Sequence, residues 1–216
     1  MGLLLKRLLM KAEWKEQVLA YKMMTRIQAS RAFAGRVFEA MALCQLRKEV
    51  ALDLVPMERR SASAGALPRW IPQDNVSSST AMNAGNATNP PISIKFHPKM
   101  LITYDSLPTT CLPDVLYMPD APNQVGFDSF ILHNASLFMF QMTIASEHTI
   151  KRGIMKTLSH ETLKAAKLHS IFVVPPGRTT ECLESKDDKL KEFWERAAVK
   201  PLFTAEFDRG YTLALD

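Results

Sequence analysis

Two apolar runs with almost nothing between them constrain this chain more than any other feature. Phe127–His133 and Leu137–Ala145 are joined only by the turn at Asn134-Ala135-Ser136. Read as strands, they must form an antiparallel hairpin, because so short a connection cannot cross over to a parallel neighbour. The next segment, "HTIKRGIMKTLSHETLKAAKL" (148–168), has helical spacing, with Ile150, Ile154 and Leu158 on its inner face. It leads into "HSIFVVPPG" (169–177), a short apolar run stopped by Pro-Pro that reads as a fully buried strand. A hairpin, a crossover helix and a further strand together predict an α/β fold, a mixed β-sheet flanked by helices.

The flanking sequence fits that scheme. Residues 3–24 and 26–48 carry helical patterns; in the second, Ile27, Ala34, Phe38, Ala42 and Leu46 recur at helical spacing. "VALDLVPM" (50–57), "KMLITYDSL" and "DVLYMP" read as strands, "SKDDKLKEFWERAAV" as a last helix, and "LFTAEF" and "YTLALD" as closing strands. Between 58 and 95, "SASAGALP", "NVSSST" and "NAGNATNPP" are rich in small polar residues, Gly and Pro, which predicts a disordered polar insertion. The expected organisation is an amphipathic N-terminal helix (1–25), a first core piece (26–57), the insertion (58–95) and the main core piece (96–216).

With 216 residues, 47% of them hydrophobic, the chain can bury one substantial core. A net charge of +5 and a pI near 9.1 suit an acidic partner such as DNA. Cys44, Cys111 and Cys182 are odd in number and far apart, so neither a zinc knuckle nor a disulfide framework is indicated. Asn75, Asn86 and Asn134 head glycosylation tripeptides, but Asn134 lies in a tight turn, a poor place for a glycan. The N-terminal apolar run is cut by Lys6-Arg7, unlike a secretory signal, and no apolar stretch reaches the ~18 residues that span a bilayer. An intracellular location, with the nucleus a candidate, is expected. The N-terminal segment reads instead as a basic amphipathic helix that packs on the domain or lies on a membrane surface.

Polar residues inside apolar elements are the places to look for chemistry. Asp128 stands at the head of a strand otherwise made of Phe127, Phe130, Ile131 and Leu132, and Glu39 sits beside Phe38 in the second helix. A sheltered carboxylate needs a partner, either hydrogen-bond donors or a cation. Gln141 and Thr143 share one face of an otherwise apolar strand, where an unmet polar group costs about 1–3 kcal/mol. His97, His133, His160 and His169 show no metal-ligand spacing, and both Gly-x-Ser-x-Gly and the phosphate-binding glycine loop are missing.

Four stretches in order, "RAFAGRVFE", "VLYMPDAPNQVGFDSF", "FQMTIASEHTIKRG" and "SIFVVP", resemble the nuclease-like domain of Crinkler effectors and related retrotransposon-hot-spot proteins of fungi and oomycetes. That domain belongs to the PD-(D/E)xK restriction-endonuclease superfamily, and the resemblance covers about 26–48 and 100–215. It implies a restriction-endonuclease-like core and a metal-dependent DNA endonuclease, in an effector or a mobile-element-associated protein. It implies Glu39, Asp128 and Gln141 as ligands of Mg²⁺, with Glu39 and Asp128 on the same side of the sheet. Gln141 and Thr143 stand where the family has its second acid and its lysine, so Lys151 or His148 would supply the catalytic basic residue. With one carboxylate fewer, Mg²⁺ would be weakly held and catalysis impaired. The alternative expectation is a non-catalytic module on the same fold that binds nucleic acid or protein, and a third is a structural remnant of a mobile-element gene.

Overall fold

The computed structural model describes residues 2–61, 67–73, 92–120, 126–150, 154, 166–185, 187–188, 190 and 202–206. The N-terminal helical pattern breaks into two helices, α1 (Gly2–Lys11) and α2 (Trp14–Arg26). Buried Gln17 explains the break. Its Nε2 donates to the carbonyls of Leu9 (2.8 Å) and Ala12 (2.9 Å), ending α1, while the Glu16 carboxylate accepts the Glu13 N–H at the start of α2 (2.9 Å). After a single 3₁₀ turn, α3 (Arg31–Leu46) buries Ala34, Val37, Phe38, Ala40, Met41, Ala42, Leu43 and Leu46. So much of α3 is buried because α1 and α2 both pack against it. Each of its large apolar side chains contributes roughly 1.5–3 kcal/mol.

The strands are β1 (Val50–Arg60), β2 (Arg69–Pro72), β3 (Ile92–Phe96), β4 (Met100–Tyr104), β5 (Val115–Pro119), β6 (Ser129–His133), β7 (Ser136–Met142), β8 (Glu147–Thr149), β9 (Lys167–Val174), β10 (Glu181–Leu183) and β11 (Leu202–Glu206). Among the described residues they form one mixed sheet, ordered β4-β5-β6-β7-β9-β11-β1-β2-β10-β8, with β3 paired to β1. The expected hairpin is β6–β7, in register from Ser129↔Phe140 to His133↔Ser136. Strands β7, β9 and β11 are parallel, as the predicted crossover requires. The chain is thus a mixed α/β fold, a large mixed sheet flanked by a few helices. No described helix is long and apolar enough to cross a membrane.

Alternation along β7 divides the interior. Phe138, Phe140 and Met142 pack with Val37, Phe38 and Met41 of α3 in one core, joined by Ile131, Ile171, Val173 and Phe96. Leu137 and Met139 point the other way, into a second core with Phe127, Phe130, Tyr117, Phe172, Ile150, Ile154 and Leu190. There the Tyr117 and Phe130 rings stack at 4.8 Å. Three backbone positions hold this geometry. Asn134 and Ala135 both have positive φ (48° and 57°), the two-residue turn whose twist matches a hairpin. Gly126 has φ 124°, and a Cβ there would lie 2.9 Å from the Cβ of Ile154, so only glycine fits.

Several expectations change. His148 and Thr149 belong to β8 rather than to a helix, because their backbone pairs with Cys182 and Leu183 of β10. Within 58–95, β1 continues to Arg60, β2 spans 69–72 and β3 begins at Ile92, so these parts of the predicted insertion are sheet. Ladder hydrogen bonds from β1 and β10 order them despite their composition. Residues 74–91, nearly all of 151–165, most of the predicted helix at 185–199, and "YTLALD" lie outside the described residues.

Candidate functional site

The β6–β7 register brings Asp128 and Gln141 together. Asp128 immediately precedes β6, and its backbone N–H donates to the Phe140 carbonyl (2.8 Å), so that Asp128 and Ser129 both face Phe140 in a bulge. Its carboxylate then takes the place of a backbone carbonyl. Oδ2 accepts the Met142 N–H at 2.7 Å and the Gln141 side-chain amide at 2.8 Å. At that distance the amide must present its NH₂ group, since two facing acceptors would repel. The same amide's oxygen, the atom a cation needs, is on its other arm. Thr143 is likewise engaged: its N–H donates to the Val173 carbonyl (3.0 Å) and its hydroxyl oxygen accepts the Ala145 N–H (3.0 Å).

Gln141 shares the face of Leu137 and Met139, the side away from α3. Its register neighbour on β9 is Phe172, and the next along on β11 is buried Thr204. His148 reaches the same face from β8, its ring edge against Phe172 at 5.6 Å between centroids. Asp128, Gln141 and His148 therefore share one side of the sheet. Glu39 is half-buried. It rides on α3, whose Gly35 faces Ile144 and whose apolar residues pack with Phe138 and Phe140 on the opposite side. Lys151 lies outside the described residues.

Mg²⁺ takes a compact shell of oxygen ligands. One proposed ligand, Gln141, offers its amide NH₂ to Asp128, and another, Glu39, is half-buried on α3. Among the described residues, no group of three or more His, Cys, Asp or Glu side chains could hold a metal ion.

Two further polar sites went unread in the sequence. At the far end of the hairpin, His133 Nδ1 lies 2.6 Å from Asp114 Oδ1, and the Asn134 amide lies 2.9 Å from Nε2. With Asn134 donating to Nε2, the ring proton sits on Nδ1 and points at Asp114, so both nitrogens are committed. Asp114 also donates its N–H to the Leu132 carbonyl (2.8 Å), so the group braces the start of β5 against the β6–β7 turn. Asp114 and His133 are 19 residues apart, a spacing no motif announces. The second is a cavity of ≈ 320 Å³ at the α1–α2 corner, lined in part by Trp14, Gln17, Cys44, Arg47 and Lys48. Gln17 caps α1 there, burial pushes the Cys44 thiol up, and the two cations sit at the C-terminal end of α3, where a helix dipole favours them.

Comparison with protein-family models, curated proteins and solved structures gives no match. The nuclease-like resemblance thus rests on its four short motifs.

Proposed function

We propose that this chain is a non-catalytic binding module on a nuclease-like scaffold, and that its partner carries negative charge. One observation carries the reading: the Asp128 carboxylate is bonded to Gln141 and Met142 at the start of the hairpin. In a metal nuclease, carboxylates converge on a cation that polarises the phosphate and activates water. Here the acid supports the end of a strand. The net charge of +5 and the exposed Lys15, Arg26, Arg31 and Arg36 support an acidic partner, with DNA the partner that the motifs imply.

The test is nicking of supercoiled DNA with Mg²⁺ or EDTA, beside calorimetric titration of Mg²⁺ into wild type and Asp128→Asn. The expected result is no EDTA-sensitive nicking and identical titrations. EDTA-sensitive nicking that disappears in a folded Asp128→Asn protein would restore the endonuclease reading.

A further inference from the structure

We infer that the outer stripe of α2 docks on the surface of an anionic lipid bilayer. The inference rests on the binding-module reading and narrows its partner. Leu19 and Met23 are one helical turn apart, and Ile27 follows just past the end of the helix. All three are half exposed, at 50%, 53% and 52%, and Leu8 of α1 is 57% exposed. A lone exposed leucine is ordinary surface, but residues at i, i+4 and i+8 form a continuous row. Elsewhere among the described residues, the exposed large hydrophobics Ile92, Met100 and Leu112 are far apart in sequence.

The charges decide what such a row would meet. Lys15, Lys22 and Arg26 lie four residues before Leu19 and three and seven after it, so all three flank the stripe. The single acid of α2 is Glu16, whose carboxylate is occupied with the Glu13 N–H at the helix start. Cations alone would suit nucleic-acid phosphates, and apolar side chains alone would suit a protein groove. An apolar row edged by cations matches a membrane interface, where acyl chains lie beneath anionic headgroups. Gln17, Val18 and Tyr21 bury the opposite side of α2, so contact with lipid leaves the core undisturbed.

Co-sedimentation with phosphatidylcholine vesicles, with and without phosphatidylserine, tests this for wild type and a Leu19→Asn/Met23→Asn double variant. Wild type is expected on the phosphatidylserine vesicles, more weakly as salt rises. The double variant is expected to bind about tenfold more weakly, with an unchanged melting curve. Failure of wild type to bind, or equal binding by the variant, overturns the inference. So does a wild-type dimer that the double substitution dissociates, which would make a second copy the occupant. Binding to duplex DNA but not to vesicles sinks the lipid partner and leaves the module reading standing, whereas Mg²⁺-dependent nicking sinks the module reading.

Discussion

Replacing Asp128 with alanine separates a structural carboxylate from one kept for a cation. The substitution removes the shared acceptor of the Met142 N–H (2.7 Å) and the Gln141 amide (2.8 Å). A hydrogen bond to a charged group is worth about 1.5–3 kcal/mol, and a buried donor left unmet costs about 1–3 kcal/mol. The two losses differ. Met142 is buried, so its N–H has no ready substitute, whereas the half-buried Gln141 can turn toward water. A net loss of about 2–4 kcal/mol follows, or roughly 5–12 °C in Tm for a domain of this size. Asp128→Asn keeps an oxygen for Met142 and loses only the charge, so about 1 kcal/mol is expected. Urea and thermal denaturation by circular dichroism measure both. A carboxylate held for a metal behaves oppositely in the metal-free protein, where its removal is neutral or stabilising. If Asp128→Ala melts with or above wild type, the strand-end role is refuted.

Two other perturbations follow from the same structure. Burial, with a smaller contribution from Lys167, pulls His169 from 6.5 down to about 4, where its ring stacks on Phe138 at 4.7 Å. The unfolded chain therefore takes up this proton first, and stability that is full above about pH 6.5 falls as pH drops toward 4. After discounting for water around the half-buried ring, about 1–2 kcal/mol should be lost, and urea melts of His169→Phe should lack that part of the slope. At the hairpin turn, Ala135 has φ 57°, so Ala135→Gly should stabilise by about 0.5–1 kcal/mol, read as a higher urea midpoint with unchanged m.

The β6–β7 hairpin, the parallel strand after it and the long helix at 31–46 were legible because each is an apolar run longer than its interruptions. The contact of Asp128 with Gln141 was legible too, since a short turn fixes the register. Which face α3 covers was not. Residue parity says that Phe140 and Gln141 point opposite ways, but not which side a helix about 100 residues upstream will cover. The short strands Arg69–Pro72, Glu147–Thr149 and Glu181–Leu183 were missed for a different reason. Three or four residues such as "EHT" carry no period, and they become strand only through partners such as Cys182 for His148. The break between α1 and α2 turned on Gln17, a polar residue whose value as a cap appears only when the chain folds back on it.

The place of β11 sets an order of events during synthesis. It lies between β9 and β1, yet it is the last described strand to leave the ribosome, about 150 residues after β1. Until Leu202–Glu206 emerge, β1 and β9 each keep an unpaired edge, and α3, made early, waits for the rest of its sheet. At synthesis rates of ~5–20 residues per second, β1 would wait on the order of ten seconds for this neighbour. During that interval Leu54, Val55 and Pro56 present an apolar edge to other chains. Proline at 56 has no N–H to offer there, which weakens the edge as a template before its own partner arrives.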